Sequence, residues 1–182
     1  AISLTNTEVS GSTTGADDAG NIFVTALNGL VSFLTGSEVS SESGDFSENA
    51  VASATGSAGA IDVQGKGITI DDALVSVKTN STEEKTAAGI TLDANDGVVT
   101  ITNSKSVEAS EGQDAIEKGL LASSSGATSA GDIQIVDASL VTTNGASIVS
   151  RSDGGTATSG AAGSVNISST ALSLANADIS IE

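Results

Sequence analysis

A short phrase recurs five times along this 182-residue chain: a small residue, a glycine, then an alternating pair of branched apolar side chains. It reads AGNIFV with Ile22 and Val24, AGAIDV with Ile61 and Val63, AGITL with Ile90 and Leu92, AGDIQI with Ile133 and Ile135, and AGSVNI with Val165 and Ile167. The anchors Ile22, Ile61, Ile90, Ile133 and Val165 are 39, 29, 43 and 32 residues apart, a scatter too wide for a helical repeat. Self-similarity of this kind marks an architecture in which each copy buries its apolar side against its neighbours.

Two further alternating segments follow each anchor. The second is clearest at Ile68/Ile70, Val99/Ile101 and Leu172/Leu174. The third carries Val39, Val75/Val77, Val107, Ile148 and Ile179/Ile181. Turn-prone stretches such as TGSE, DDA, TNSKS, TNGAS and ANAD separate second from third. Alternation with β-branched residues reads as strands with one face buried. The three segments keep nearly constant length, and the variation falls after the third, in insertions near 41–57 and 110–128. The expected fold is therefore all-β, a parallel β-helix with three short strands per coil and about five to six coils. In it Ile22, Ile61, Ile90, Ile133 and Val165 form an inward ladder. The glycine before each first strand suits a sharp corner or a positive φ. An antiparallel sandwich is the competing arrangement, with hairpin signals at Asn28-Gly29 and Asn144-Gly145. It gives no reason for a three-strand unit to recur.

Composition agrees with a narrow, regular core. The chain has no Pro, Cys, Met, Trp, Tyr or His, and its only aromatics are Phe23, Phe33 and Phe46. Absence of proline suits stacked strands whose N–H groups all donate to a neighbour. Six basic against 23 acidic residues leave a charge of −17, which repels nucleic acid and anionic membranes. No apolar run reaches spanning length, so no membrane insertion is expected. The segment Ala1–Gly11 aligns with Ala171–Ile181, so the chain opens at a second strand and closes after a third. Residues 1–182 read as one solenoid domain, a segment of a longer chain or of an end-to-end stack, with unpaired strand edges at both ends.

The repeated AG-x-[IV]-x-[VIL], followed by L-x-L-x-x-A-x-[IV]-S, resembles the repeat region of large secreted bacterial exoproteins of the filamentous-haemagglutinin-like, two-partner-secretion class. Autotransporter passengers share that architecture. The resemblance implies a right-handed β-helix, export from the cell, and a role as surface fibre or adhesin. The Asn-Pro-rich motifs of that class's secretion module have no counterpart in a chain without proline.

Catalysis is not expected. A polysaccharide-degrading enzyme on this scaffold is the remote alternative, but His is absent, Arg151 is the single arginine, and adjacent acids on a strand point to opposite faces. No cofactor is expected. The metal candidates are Asp17 and Asp18 in GADDAGN and Asp93 and Asp96 in DANDG, oxygen-rich turns able to offer calcium its carboxylates and carbonyls. The plainer reading is that Asp, Asn and Gly are ordinary turn residues. No regular Thr-x-Thr ladder of the kind that binds ice is evident. In Glu111–Ser123 the four-residue spacing of Ile116 and Leu120 reads as a short amphipathic helix, and Phe46 stands isolated in another insertion. These three residues mark candidate docking loops, or loops covering the apolar side of a coil. The expected function is that of a secreted cell-surface structural protein, a fibre, sheath or adhesin stalk self-associating end to end. The alternative is an adhesin whose loops bind a host or matrix glycan or a receptor.

Overall fold

The structure is a computed structural model that describes residues 1–44, 46, 55–104, 117–152 and 160–182. Among these residues there are twelve strands and no helix. The strands are β1 (Ile2–Thr5), β2 (Glu8–Ser10), β3 (Ile22–Ala26), β4 (Val31–Leu34), β5 (Glu38–Ser43) and β6 (Ile61–Gly65). They continue as β7 (Ile68–Asp71), β8 (Leu74–Ser81), β9 (Ile90–Ser104), β10 (Gly119–Gly126), β11 (Ile133–Ser152) and β12 (Val165–Ile181). All pair in parallel and form one curled, solenoid-like sheet.

The pairings fall into three series. The first runs β3–β6–β9–β11–β12 and stacks Ile22, Ile61, Ile90, Ile133 and Val165 in register. The second runs β1–β4–β7–β9–β11–β12 and stacks Ile2, Val31, Ile68, Val99, Val141 and Leu172. The third runs β2–β5–β8–β10–β11–β12 and stacks Val9, Val39, Val75, Leu120, Ile148 and Ile179. The long strands β9, β11 and β12 take part in more than one series, bending between them.

Alternation places one side chain in two on the inside, and in the middle of the stack the inward residues are fully buried. Ile61, Ile68, Ile90, Ile101, Leu120, Ile133, Ile135 and Ile148 have no appreciable exposure. Burying one such side chain stabilises the fold by about 1.5–3 kcal/mol. Of the three aromatics only Phe33 is in the core, while Phe23 and Phe46 are exposed.

Two local features set the shape. Each corner between the second and third series holds one residue in the left-handed region: Asn6, Gly36, Asp72, Asn103, Gly145 or Asn176. Asn, Asp and Gly tolerate that conformation, which is why the turn-prone stretches between those segments contain them. The glycine of the AG step has a different role from the one expected. Gly20, Gly59, Gly89, Gly131 and Gly163 are not in the positive-φ region. At Gly59, Gly89, Gly131 and Gly163 the backbone of the adjacent coil passes too close for a side chain instead, whereas Gly20 has room for one. A Cβ on Gly131 would lie 2.1 Å from the Ala88 carbonyl oxygen, and one on Gly163 would lie 2.3 Å from that of Gly131.

The insertion near 110–128 also departs from expectation. Its last part is strand β10, with Leu120 at 0% exposure between Val75 and Ile148. Leu120 is therefore a core residue of the third series rather than part of a docking loop. The insertion in that coil precedes the third strand instead of following it. Val107, Ile116 and the rest of the expected helix up to that residue lie outside the described residues.

Candidate functional site

Inside the stack, buried hydroxyls lock the AG step in place. Ser41 Oγ donates to the Gly20 carbonyl at 3.0 Å and accepts from the Gly59 N–H at 2.9 Å. Ser150 Oγ repeats this three coils further along, donating to Gly131 O at 3.1 Å and accepting from Gly163 N at 2.9 Å. Thr79 Oγ1 accepts from the Ala58 N–H at 2.9 Å. Each ties a third strand to the backbone that enters a first strand. Their sequence signal is a Ser or Thr at an inward position of the third segment, two residues after an inward valine or isoleucine.

The candidate calcium ligands are engaged locally. Asp18 Oδ1 accepts from the Ser57 N–H at 2.8 Å. Asp93 caps its own turn through the Asn95 N–H at 3.0 Å and accepts from Gln64 Nε2 at 2.8 Å. Asp96 lines a shallow recess of about 280 Å³ with Asp137, Ala138, Ser168, Ser169 and Thr170. Asp17 is exposed and makes no part of that recess. Among the described residues no three carboxylates are grouped so as to hold a metal ion. A larger open groove of about 560 Å³ runs past Asp18, Asn21, Ser57 and Lys85.

The three outward faces differ. The third is covered and charged. Leu74, Leu121 and Val149 form a second small buried cluster there, on the side opposite to Val75, Leu120 and Ile148. Next to it Lys78 meets Glu42 at 3.3 Å and also Glu117, which in turn accepts from Arg151 at 3.1 Å. Burial pulls the Lys78 ammonium down, but the bond to Glu117 and the charges of Glu117 and Glu42 outweigh it and hold it above the ordinary lysine value. Lys118 pairs with Asp72 at the neighbouring corner. The first face carries Asp62, Asp93 and Asp132 among neutral side chains. On the second face, Ser3, Ser32, Thr69, Thr100, Thr142 and Ser173 lie in one unbroken register column. In the sequence it is apolar-[Ser/Thr]-apolar in five of the six second segments and Val-Thr-Thr in the other, a pattern of single hydroxyls rather than the paired threonines of a Thr-x-Thr ladder.

At one end of the stack, among the described residues, β12 pairs with β11 alone. Leu172, Leu174, Ile179 and Ile181 are between 38% and 59% exposed there. At the other end, among the described residues, β1 pairs with β4 and β2 with β5. Phe46, in an insertion, is 41% exposed. No protein family, curated protein or solved structure matches the chain.

Proposed function

We propose that this chain is a right-handed parallel β-helix with three short strands per coil, serving as a structural segment of a secreted bacterial fibre, sheath or adhesin stalk. Its stack grows by addition of a second copy at the coil edge, and it performs no catalysis. The observation that carries this reading is the edge of β12, which among the described residues has β11 as its one partner. Its inward residues continue the apolar ladders of the interior yet remain half-exposed. An unpaired strand with an apolar inward side is a template for a further strand. The edge formed by β1 and β2 has the matching spacing. Ile2, Leu4, Asn6 and Val9 follow one another as Leu172, Leu174, Asn176 and Ile179 do, and both asparagines have φ of 49°. A copy seated on β12 thus meets like residues and a like corner.

Electron microscopy of the purified chain at rising concentration tests this. Filaments that vanish in a Leu174→Lys/Ile179→Lys variant are the expected result, and a monomer at every concentration overturns it. Loss of the filaments on adding a chelator would restore calcium at Asp93 and Asp96. A second reading, an adhesin contacting a receptor or glycan through its insertions, is supported by the exposed ring of Phe46. Binding that disappears with Phe46→Ala while filaments persist would favour it.

A further inference from the structure

The second outward face stands apart in a chain of net charge −17. Three columns run along it. The outermost follows Leu30, Gly67, Val98, Leu140 and Ala171, aliphatic except at the glycine, with Leu30 55% and Val98 41% exposed. The middle one is the hydroxyl column from Ser3 to Ser173. The innermost contains Thr5, Leu34, Thr102, Asn144 and Ala175, together with Asp71, the only charge on the face among the described residues. That carboxylate is itself occupied, accepting from Thr102 Oγ1 at 2.9 Å and Asn103 Nδ2 at 2.8 Å.

An outward strand position accepts any good strand former, and the other two faces use Asp, Glu, Gln, Lys and Arg there. Six successive coils place Ser or Thr at one position instead. Each hydroxyl both donates and accepts, and the rungs repeat at the strand spacing of about 4.8 Å, giving a strip about 24 Å long. A column of hydroxyls beside a column of aliphatic side chains matches the two chemistries of a sugar polymer, hydroxyl edges and C–H faces. The surrounding negative charge repels polyanions, and a second copy of this chain brings the same charge with it. An uncharged polymer meets no such repulsion. The columns run along the stack, so they fit a polymer lying along them rather than a small sugar held in a pocket.

We infer that the second face is a docking surface for an uncharged, flat-ribbon polysaccharide, independently of whether copies stack end to end. Without aromatic residues each contact is weak, and affinity comes from repetition along the strip.

The test is depletion of the chain from solution by microcrystalline cellulose, at low and at high salt. Saturable binding that survives high salt is expected. A Thr69→Lys/Thr142→Lys variant should bind on the order of tenfold more weakly, because its charges lose water against a neutral surface. Should that variant fold poorly, Thr69→Ala/Thr142→Ala removes the hydroxyls without adding charge, and weaker binding is again expected. Gln134→Lys, on the first face, should bind as the parent does. No depletion, or equal depletion by the face variants, overturns the inference. So does a salt-promoted dimer in sedimentation velocity that the face variants abolish without any cellulose binding, which would assign the face to a second copy. Filament formation through β12 is untouched by these variants, so failure of one reading leaves the other standing.

Discussion

Strands β11 and β12 follow the same pattern and pair from Ile133/Val165 to Ser150/Ile181, with one register shift between Ile135 and Ala138. Their fates differ. Ile133, Ile135, Val141 and Ile148 are completely buried, while their partners in β12 are half-exposed. The inner strand has a neighbour on each side, β9 or β10 below and β12 above, and the outer strand has one. Burial in a solenoid is thus conferred by the coils on either side, and a residue's pattern alone does not say how much it contributes.

The sharpest way to break this comparison is to truncate the paired residues Ile148 and Ile179 separately. Ile148→Ala should cost about 2–5 kcal/mol in chemical denaturation, through lost transfer energy and a cavity. Ile179→Ala, 38% exposed, should cost less than about half as much under monomeric conditions. Equal costs would show that β12 is already covered in solution. If copies add to β12, the Ile179 cost should rise with protein concentration.

Ser150 probes the hydroxyl lock between the same two coils. Ser150→Ala removes the bond to Gly131 O and strands the Gly163 N–H, at an expected loss of about 1–3 kcal/mol. Ser173→Ala, in β12 and outward-facing, should change stability little. Thr143 reverses the sign. Its hydroxyl is buried with no partner and its register neighbour in β12 is Leu174. Thr143→Val should therefore stabilise, by about 1 kcal/mol, and a loss of melting temperature would show that the hydroxyl is used.

The smallest effect concerns charge on the third face. The Lys78 ammonium is held above its ordinary value in the fold, so its contribution is fully present below about pH 10.4 and is lost as pH rises through the folded value. Melting curves of the parent should therefore fall more steeply above that pH than those of Lys78→Met. Parallel curves would remove the pair from the account of stability.

Much of the fold was legible because alternation and the AG step mark strands directly. The inward positions of the first series follow from counting by two. The third strand of the middle coil was misplaced for a definite reason. Ile116 and Leu120 are four residues apart, a helical spacing, and local periodicity cannot reveal that Val75 and Ile148 await Leu120 as their neighbour. The calcium candidates were readable as turn residues, yet whether they converge depends on distances between coils. The hydroxyl column was present in the letters all along, but only register turns six isolated Ser and Thr residues into one strip.

By itself the sequence determined the all-β character, the inward ladder of the first series and the corners where Asn, Asp or Gly adopts positive φ, since these depend on side-chain branching and local backbone sterics. The tertiary structure alone decided which glycines are needed for close approach, where the insertion interrupts its coil, and which ladder residues remain open at the edge. Those depend on what lies one coil away, some 30 to 40 residues distant along the chain, and no local rule reaches that far.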